Sequence, residues 1–376
     1  KMNQYYNPVR TYEGFGAVRE TGRALKESGF KDVLLLVWNE SVFALEDISS
    51  LLNKNGCINF SKLVFEKSNP DIEDLFKLYE DTKNNKLDAV IAIGGGSVLD
   101  MGKSLCCLYG SNISSVDELR EIIKEKSFKK PALKWIGVPT TAGTGSEVTC
   151  WATVWDKAKG SKLSLECHEN YAEYAFVDPQ FAQSMPVSLA VSSALDAAAH
   201  ALESFWSKAS NVVSRAFALS AIGIIMDNIS ALIENPRDID AHDCMAQGSM
   251  LAGLAFSNTK TTACHSISYP LTLHYGIPHG AAVSLLIAPV SRINEPTIKD
   301  FNLLLEAFRV SNIHELDERI KNILNLAGIP ARLKDWGVME EGIDKLAEAA
   351  LTKGRIDNNP IEITEEMIKG ILKNIY

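Results

Sequence analysis

Between Val33 and about Val177 the chain alternates short, unbroken apolar runs with amphipathic stretches. Val33-Leu34-Leu35-Leu36-Val37-Trp38 has the length and continuity of a buried strand. Leu63-Val64-Phe65, Ala89-Val90-Ile91-Ala92-Ile93 and Trp135-Ile136-Gly137-Val138 repeat the pattern. Strands that are apolar at every position, separated by helical segments, predict a parallel sheet covered by helices on both faces. The stretch from Thr149 to Val177 reads as extra β-structure at the edge of that domain.

After Met185-Pro186 the period changes. Val212 to Ile233, Ala241 to Phe256, Phe301 to Val310, Leu316 to Ala327 and Ile343 to Ala350 all place apolar residues at spacings near 3.6. Pro186, Pro236, Pro278, Pro289, Pro330 and Pro360 fall at or near the breaks, where proline belongs. The expected organisation is therefore an α/β domain over residues 1–184 and an all-α domain over 185–376. A cleft between two such domains is a usual place for a ligand.

Composition narrows the function. The 376 residues hold 38 Lys+Arg against 47 Asp+Glu, a formal charge of −9. No Lys/Arg block occurs, so neither a nucleic acid nor an anionic membrane is an expected partner. The apolar stretches are interrupted by polar residues short of a membrane span. Seven scattered cysteines without a Cys-x-x-Cys predict reduced thiols and a cytoplasmic protein. The opening Lys1-Met2-Asn3-Gln4-Tyr5-Tyr6 has no apolar run, so no signal peptide is expected.

Two polar loops follow two of the strands. Gly94-Gly95-Gly96-Ser97 connects the Ala89 strand to a helical stretch through Asp100 and Lys103. Glycines let the backbone turn tightly and let a phosphate approach, and the free N–H groups of a helix start bind anions. The plainer reading is a turn in which Ser97 caps the helix. The second loop, Pro139-Thr140-Thr141-Ala142-Gly143-Thr144-Gly145-Ser146-Glu147-Val148-Thr149, offers hydroxyls on small residues. Both loops would lie at the carboxyl edge of one sheet, where α/β folds bind nucleotides.

In the helical half, Asp196 and His200 are spaced i,i+4, which puts both on one helix face. His265 and His279 follow downstream. One carboxylate with three imidazoles suits Fe²⁺ or Zn²⁺ and not Mg²⁺ or Ca²⁺. His168, His242 and His314 read as ordinary structural or surface histidines.

Taken together, Gly94-Gly95-Gly96-Ser97-x-x-Asp100-x-x-Lys103, the Pro139–Thr149 loop, Asp196-Ala197-x-x-His200-Ala201-x-Glu203, and His265 with Pro278-His279-Gly280 resemble the iron-dependent (group III) alcohol dehydrogenase family. The resemblance covers nearly the whole chain. It implies a dinucleotide-binding α/β domain followed by an all-helical metal domain, hydride transfer between NAD(P)H and a small aldehyde or alcohol, and a homodimer. The metal ligands it implies are Asp196, His200, His265 and His279, holding Fe²⁺, with Zn²⁺ accepting the same set. The cofactor contacts it implies are Asn39, Asn69, Gly95, Gly96, Ser97, Thr140, Thr141, Thr144, Thr149, Trp151 and Lys162.

Three departures from the family pattern bear on function. Many members carry Asp where this chain has Asn39; losing that charge permits NADP(H), and neighbouring Glu40 works against it, so cofactor choice stays open. Tyr269 replaces a histidine proposed to relay protons, and a phenol is a poor relay at neutral pH. Lys260 with Thr259, Thr261 and Thr262 replaces small or apolar residues, and a cation with hydroxyls can hold an anionic head group. The run Thr261 to Pro270 resembles the branch that reduces phosphonoacetaldehyde to 2-hydroxyethylphosphonate. Lys260, Thr261 and Tyr269 are thus the substrate candidates, with Arg215 a second cation. A rival reading is a lyase or cyclase like 3-dehydroquinate synthase, which uses NAD transiently; the Asp196-x-x-x-His200 spacing argues against it.

Overall fold

The protein is described by a computed structural model covering residues 2–128, 130–351 and 353–376. The chain divides into two compact units. One comprises Asn7–Thr141 and Ser146–Phe181; the other comprises the N-terminal residues up to Tyr6, Ala142–Gly145, and Ala182–Tyr376. A single cut after residue 184 therefore misses two excursions of the chain into the helical unit.

The α/β unit is built on six parallel strands: β1 (Arg10–Glu13), β2 (Asp32–Val37), β3 (Asn59–Val64), β4 (Ala89–Gly94), β5 (Lys134–Pro139) and, after an antiparallel hairpin of β6 (Trp151–Asp156) with β7 (Ser161–Glu166), β8 (Tyr174–Val177). The sheet order is β1-β8-β5-β4-β2-β3. The region after Thr149 is thus only partly an edge addition. The hairpin stands apart as its own two-stranded sheet, but β8 is inserted between β5 and β1.

Side chains alternate across each strand, and here both faces are apolar. Leu34, Leu36, Val90 and Ala92 pack into one core with α3 (Ile72–Thr82), α4 (Gly96–Leu108) and α5 (Val116–Lys124). Val33, Leu35, Val37, Ile91 and Ile93 pack into the other with α1 (Thr21–Glu27) and α2 (Glu46–Lys54). This two-sided burial is why β2 and β4 read as continuous apolar runs. Truncating a central residue such as Leu35 to Ala would cost roughly 2–5 kcal/mol.

Strand order also fixes where a ligand goes. The chain runs from β2 outward to β3, then returns to β4 on the other side of β2, so the order reverses between β2 and β4. Loops leaving the carboxyl ends at such a switch point flank a crevice. Those loops begin at Trp38-Asn39 and at Gly95.

In the helical unit, α6 (Val187–Trp206), α7 (Val212–Glu234), α8 (Ile239–Phe256), α9 (Ala263–Tyr275), α10 (His279–Ser284) and α11 (Ile287–Asn294) share one apolar core with the later helices Phe301–Ala307, Ile313–Leu326, Ile343–Ala349 and Glu365–Asn374. By length and composition α7 is apolar enough to cross a membrane, contrary to the reading that every apolar stretch falls short. Its Ala218, Ala221, Ile222, Ile225, Met226, Ile229 and Leu232 all join the bundle core, as a central bundle helix requires. All seven cysteines are free.

Candidate metal centre and nucleotide loops

In the α/β unit, β4 ends on Gly94, and a Cβ there would stand 2.5 Å from Val98 Cβ, so only glycine permits the turn. Gly95 occupies the N-cap of α4 in extended backbone and offers no side-chain cap. Val98 and Leu99 N–H donate to Gly95 O, and the N–H groups ahead of them are of the kind that bind a phosphate at a helix start. Ser97 is therefore not the cap; its hydroxyl accepts the N–H of Asn69, a residue in left-handed backbone (φ 51°). Thr140 N–H donates to Gly94 O at 2.9 Å, and a Cβ on Gly95 would touch Thr141 Cγ2 at 3.4 Å. Five of the candidates, Asn69, Gly95, Ser97, Thr140 and Thr141, thus converge with Gly96 on one turn.

The remaining nucleotide candidates fall elsewhere. Asn39 follows β2; its amide donates to Glu66 Oε1 at 2.7 Å while its carbonyl oxygen caps the next turn through Ser41 N–H. Trp151 opens β6, and Lys162 pairs with Trp155 across the hairpin. Thr149 is buried, its hydroxyl 3.1 Å from Lys103 Nζ and 3.4 Å from Ser146 O, so it braces the loop from inside. Thr144 belongs to the helical unit.

That brace is a feature the sequence reading left without a role. Lys103 on α4 is fully buried, and its ammonium lies within 3.1 Å of four oxygens: Ser146 O, Ser146 Oγ, Thr149 Oγ1 and Trp151 O. Asp100, one helical turn before it, accepts from Ser146 Oγ and Thr153 N. Burial lowers the Lys103 ammonium and raises the Asp100 carboxyl, each partly offset by the other's charge. The glycine-turn helix, the second loop and the hairpin are tied through this pair.

In the helical unit, α6 carries Asp196 and His200 on one face, α9 begins two residues before His265, and α10 begins at His279. The three imidazole Nε2 atoms converge on Asp196 Oδ1, at 3.1 Å from His265, 3.4 Å from His279 and 3.9 Å from His200. A four-coordinate ion with bonds near 2.1 Å sets its ligand atoms about 3.4 Å apart. The observed spacings straddle that value, and the donor set suits Fe²⁺ or Zn²⁺. Asp196, His265 and His279 form the tightest group. His200 adjoins it with its ring sandwiched between Phe256 at 4.2 Å and His265 at 4.3 Å. Burial drives His200 down to about 3, which keeps the imidazole neutral. Asp196 is held well below the usual carboxylate range because the imidazoles outweigh the opposing effect of its burial.

Each buried histidine is held from behind. His200 Nδ1 faces Gly143 O at 3.2 Å. His265 Nδ1 faces Glu203 Oε2 at 2.5 Å. His279, a third exposed at its side chain, is the open side of the group. The Tyr269 ring lies parallel to His279 at 6.3 Å. Sequence reasoning assigned no part to Gly143, Glu203 or Phe256. Glu203 lies one turn after His200 in the Asp196–Glu203 motif, and that spacing is its only signal in the sequence.

Of the substrate candidates, Lys260 is partly buried in left-handed backbone (φ 59°) in the turn before α9. Thr261 is buried, and its hydroxyl has no hydrogen-bond partner among the described residues. Arg215 is engaged elsewhere, stacked over Phe205 and 3.5 Å from Asp300, so it is withdrawn as a second anion-binding cation.

A switch-point sheet with an open helix start, in one chain with a helical unit gathering a carboxylate and three imidazoles, defines a two-part dehydrogenase. The family model for iron-containing alcohol dehydrogenase matches residues 8–179, and that for the C-terminal part of the Fe-containing alcohol dehydrogenase family matches residues 190–376. The chain belongs to the iron-containing alcohol dehydrogenase family, oxidoreductases that act on CH–OH groups. It is 29% identical to an NAD-dependent methanol dehydrogenase of Bacillus methanolicus, over 99% of this chain and 100% of that one. A sulfoacetaldehyde reductase from Bifidobacterium kashiwanohense, solved in complex with NAD+, superposes with a TM-score of 0.91 at 26% identity, covering 100% of this chain and 99% of the other. An iron-containing alcohol dehydrogenase from Thermotoga maritima gives 0.87 at 28% identity, with the same coverage.

Proposed function

We propose that the protein is a metal-dependent, NAD(H)-linked reductase of small aldehydes with an anionic head, of which phosphonoacetaldehyde is the leading candidate. The observation that carries the anionic head is the unpartnered, buried hydroxyl of Thr261 beside Lys260, in the turn that leads into His265. A buried hydroxyl without a partner is costly unless a ligand satisfies it. The similarity to an enzyme named for a sulfonate-tailed aldehyde supports the same substrate class.

Asp196, His200, His265 and His279 would hold the cation, which supplies a Lewis acid for the substrate oxygen when bound. Asp196 and neutral His200 fix the site from one helix, and partly exposed His279 leaves it open to the substrate. The uncapped N–H groups of α4 bind and orient the pyrophosphate. Asn39 positions Glu66 where the strand order reverses, and that carboxylate repels a 2′-phosphate, which favours NAD(H) over NADP(H). Tyr269 packs against His279 and helps exclude water; its phenol is not assigned a relay. The proposal includes a cytoplasmic homodimer, tested by light scattering and cell fractionation.

The test compares kcat/KM on phosphonoacetaldehyde and on an uncharged aldehyde of similar size, in wild type and Lys260→Ala. The proposal expects a loss of 10-fold or more confined to the charged substrate. An equal loss on both removes the anion site. A net change in nicotinamide absorbance during turnover also separates reductase from cyclase.

A further inference from the structure

We propose that Glu203 is a positioning residue for the metal centre: its carboxylate orients His265 and supplies the second negative charge that selects a dication. The inference rests on Asp196, His200, His265 and His279 being the ligand set. Glu203 has no exposed surface, yet its oxygens accept three hydrogen bonds, from Thr262 Oγ1 at 2.7 Å, Cys264 N at 2.6 Å and His265 Nδ1 at 2.5 Å. The Thr262 hydroxyl in turn accepts from Trp206 Nε1 at 2.9 Å, so it must donate to Glu203. With one oxygen occupied by Thr262 and Cys264, the other is left to the imidazole. His265 Nδ1 therefore donates to Glu203, and Nε2, 3.1 Å from Asp196 Oδ1, is the nitrogen left to face an ion held between the two side chains.

Asp196 and Glu203 are both buried carboxylates, and the ion-pair partners of both are histidines; no Lys or Arg pairs with either among the described residues. Two buried negative charges without a fixed cation are strongly unfavourable. One divalent ion held by the three imidazoles and Asp196 would lie beside both charges, Asp196 directly and Glu203 across the His265 ring. Glu203 thus acts on the ion's charge without touching it.

The test titrates the full chain, stripped by chelation, with Zn²⁺ in a calorimeter. Glu203→Gln is expected to weaken Zn²⁺ binding 10- to 100-fold with one site retained, and activity at saturating metal should recover toward wild type. Unchanged affinity overturns the inference. His265→Ala separates the two readings. If it binds like wild type, the ligand set itself is wrong; if it loses binding while Glu203→Gln does not, only the role of Glu203 fails. Should Glu203→Gln not fold, Thr262→Val decides. It keeps the charge but removes the bond that aims it, and is expected to weaken binding several-fold; no change overturns the proposal.

Discussion

The carbonyl oxygen of Gly143 stands 3.2 Å from Nδ1 of His200, and Gly143 can hold it there only because it lacks a side chain. A Cβ on Gly143 would lie 2.9 Å from Ser193 O and 3.1 Å from Ser193 Cα, on the helix that carries His200. Gly143→Ala should push the loop off α6 and leave the imidazole without its outer partner. Metal retained after dialysis against a weak chelator should fall about 10-fold. Retention equal to wild type would show that the carbonyl does not support the ligand.

Lys103 should govern nucleotide binding without touching the nucleotide. Lys103→Met strands four oxygens that the ammonium now satisfies and leaves Asp100 without its buried counter-charge. Removing one partner of such a pair costs roughly 3–5 kcal/mol. Chemical denaturation should register that loss, and the KM for the dinucleotide should rise more than kcat falls. An effect on kcat alone would argue that the brace serves another purpose.

Stability should carry the signature of Glu147. Burial pushes this carboxyl up to about 7, with weaker opposition from its own backbone and Lys103. Between the unfolded value near 4.5 and pH 7, the folded state binds a proton that the unfolded chain has released. The contribution is thus most favourable at low pH and is lost as pH rises through 7, by roughly 3 kcal/mol in full. Unfolding curves at pH 5 to 8 should show a shallower decline for Glu147→Gln than for wild type. Parallel curves would contradict the assignment.

Cofactor preference should respond to Glu66. Asn39 anchors this carboxylate at 2.7 Å, restoring negative charge beside a position that has lost its own. Glu66→Gln should raise kcat/KM with NADPH relative to NADH by about 10-fold, the order expected from removing one like charge. If the ratio stays constant, selectivity is set elsewhere.

The parts of the fold legible in the sequence are those where burial leaves a local trace. β2 and β4 are buried on both faces, and their runs were read within a residue of their ends. Long helices such as α7 and α8 show their period. β1 left no such trace: Arg10-Thr11-Tyr12-Glu13 is a partly exposed edge strand, defined by pairing with β8 and not by its own pattern. The insertion of β8 beside β5 is a choice of partner, invisible to periodicity. α9 escaped because Pro270 lies within it. Of the four ligand candidates, Asp196 and His200 share a helix face by their spacing, while the full set with His265 and His279 is named only through the family resemblance. Their supports were not legible, since a glycine carbonyl and a distant glutamate become partners only in three dimensions. Ala142–Gly145 illustrates this: it lies inside the Pro139–Thr149 loop in sequence, yet packs with the helical unit.

Asp196, His200, His265 and His279 are proposed to share one divalent ion. Anomalous diffraction from crystals of the iron-loaded protein, collected on both sides of the iron edge, tests it most directly. A single peak is expected, about 2.0–2.2 Å from Asp196 Oδ1 and from the Nε2 atoms of the three histidines. A peak coordinated by other residues, or none in iron-loaded active protein, would contradict it.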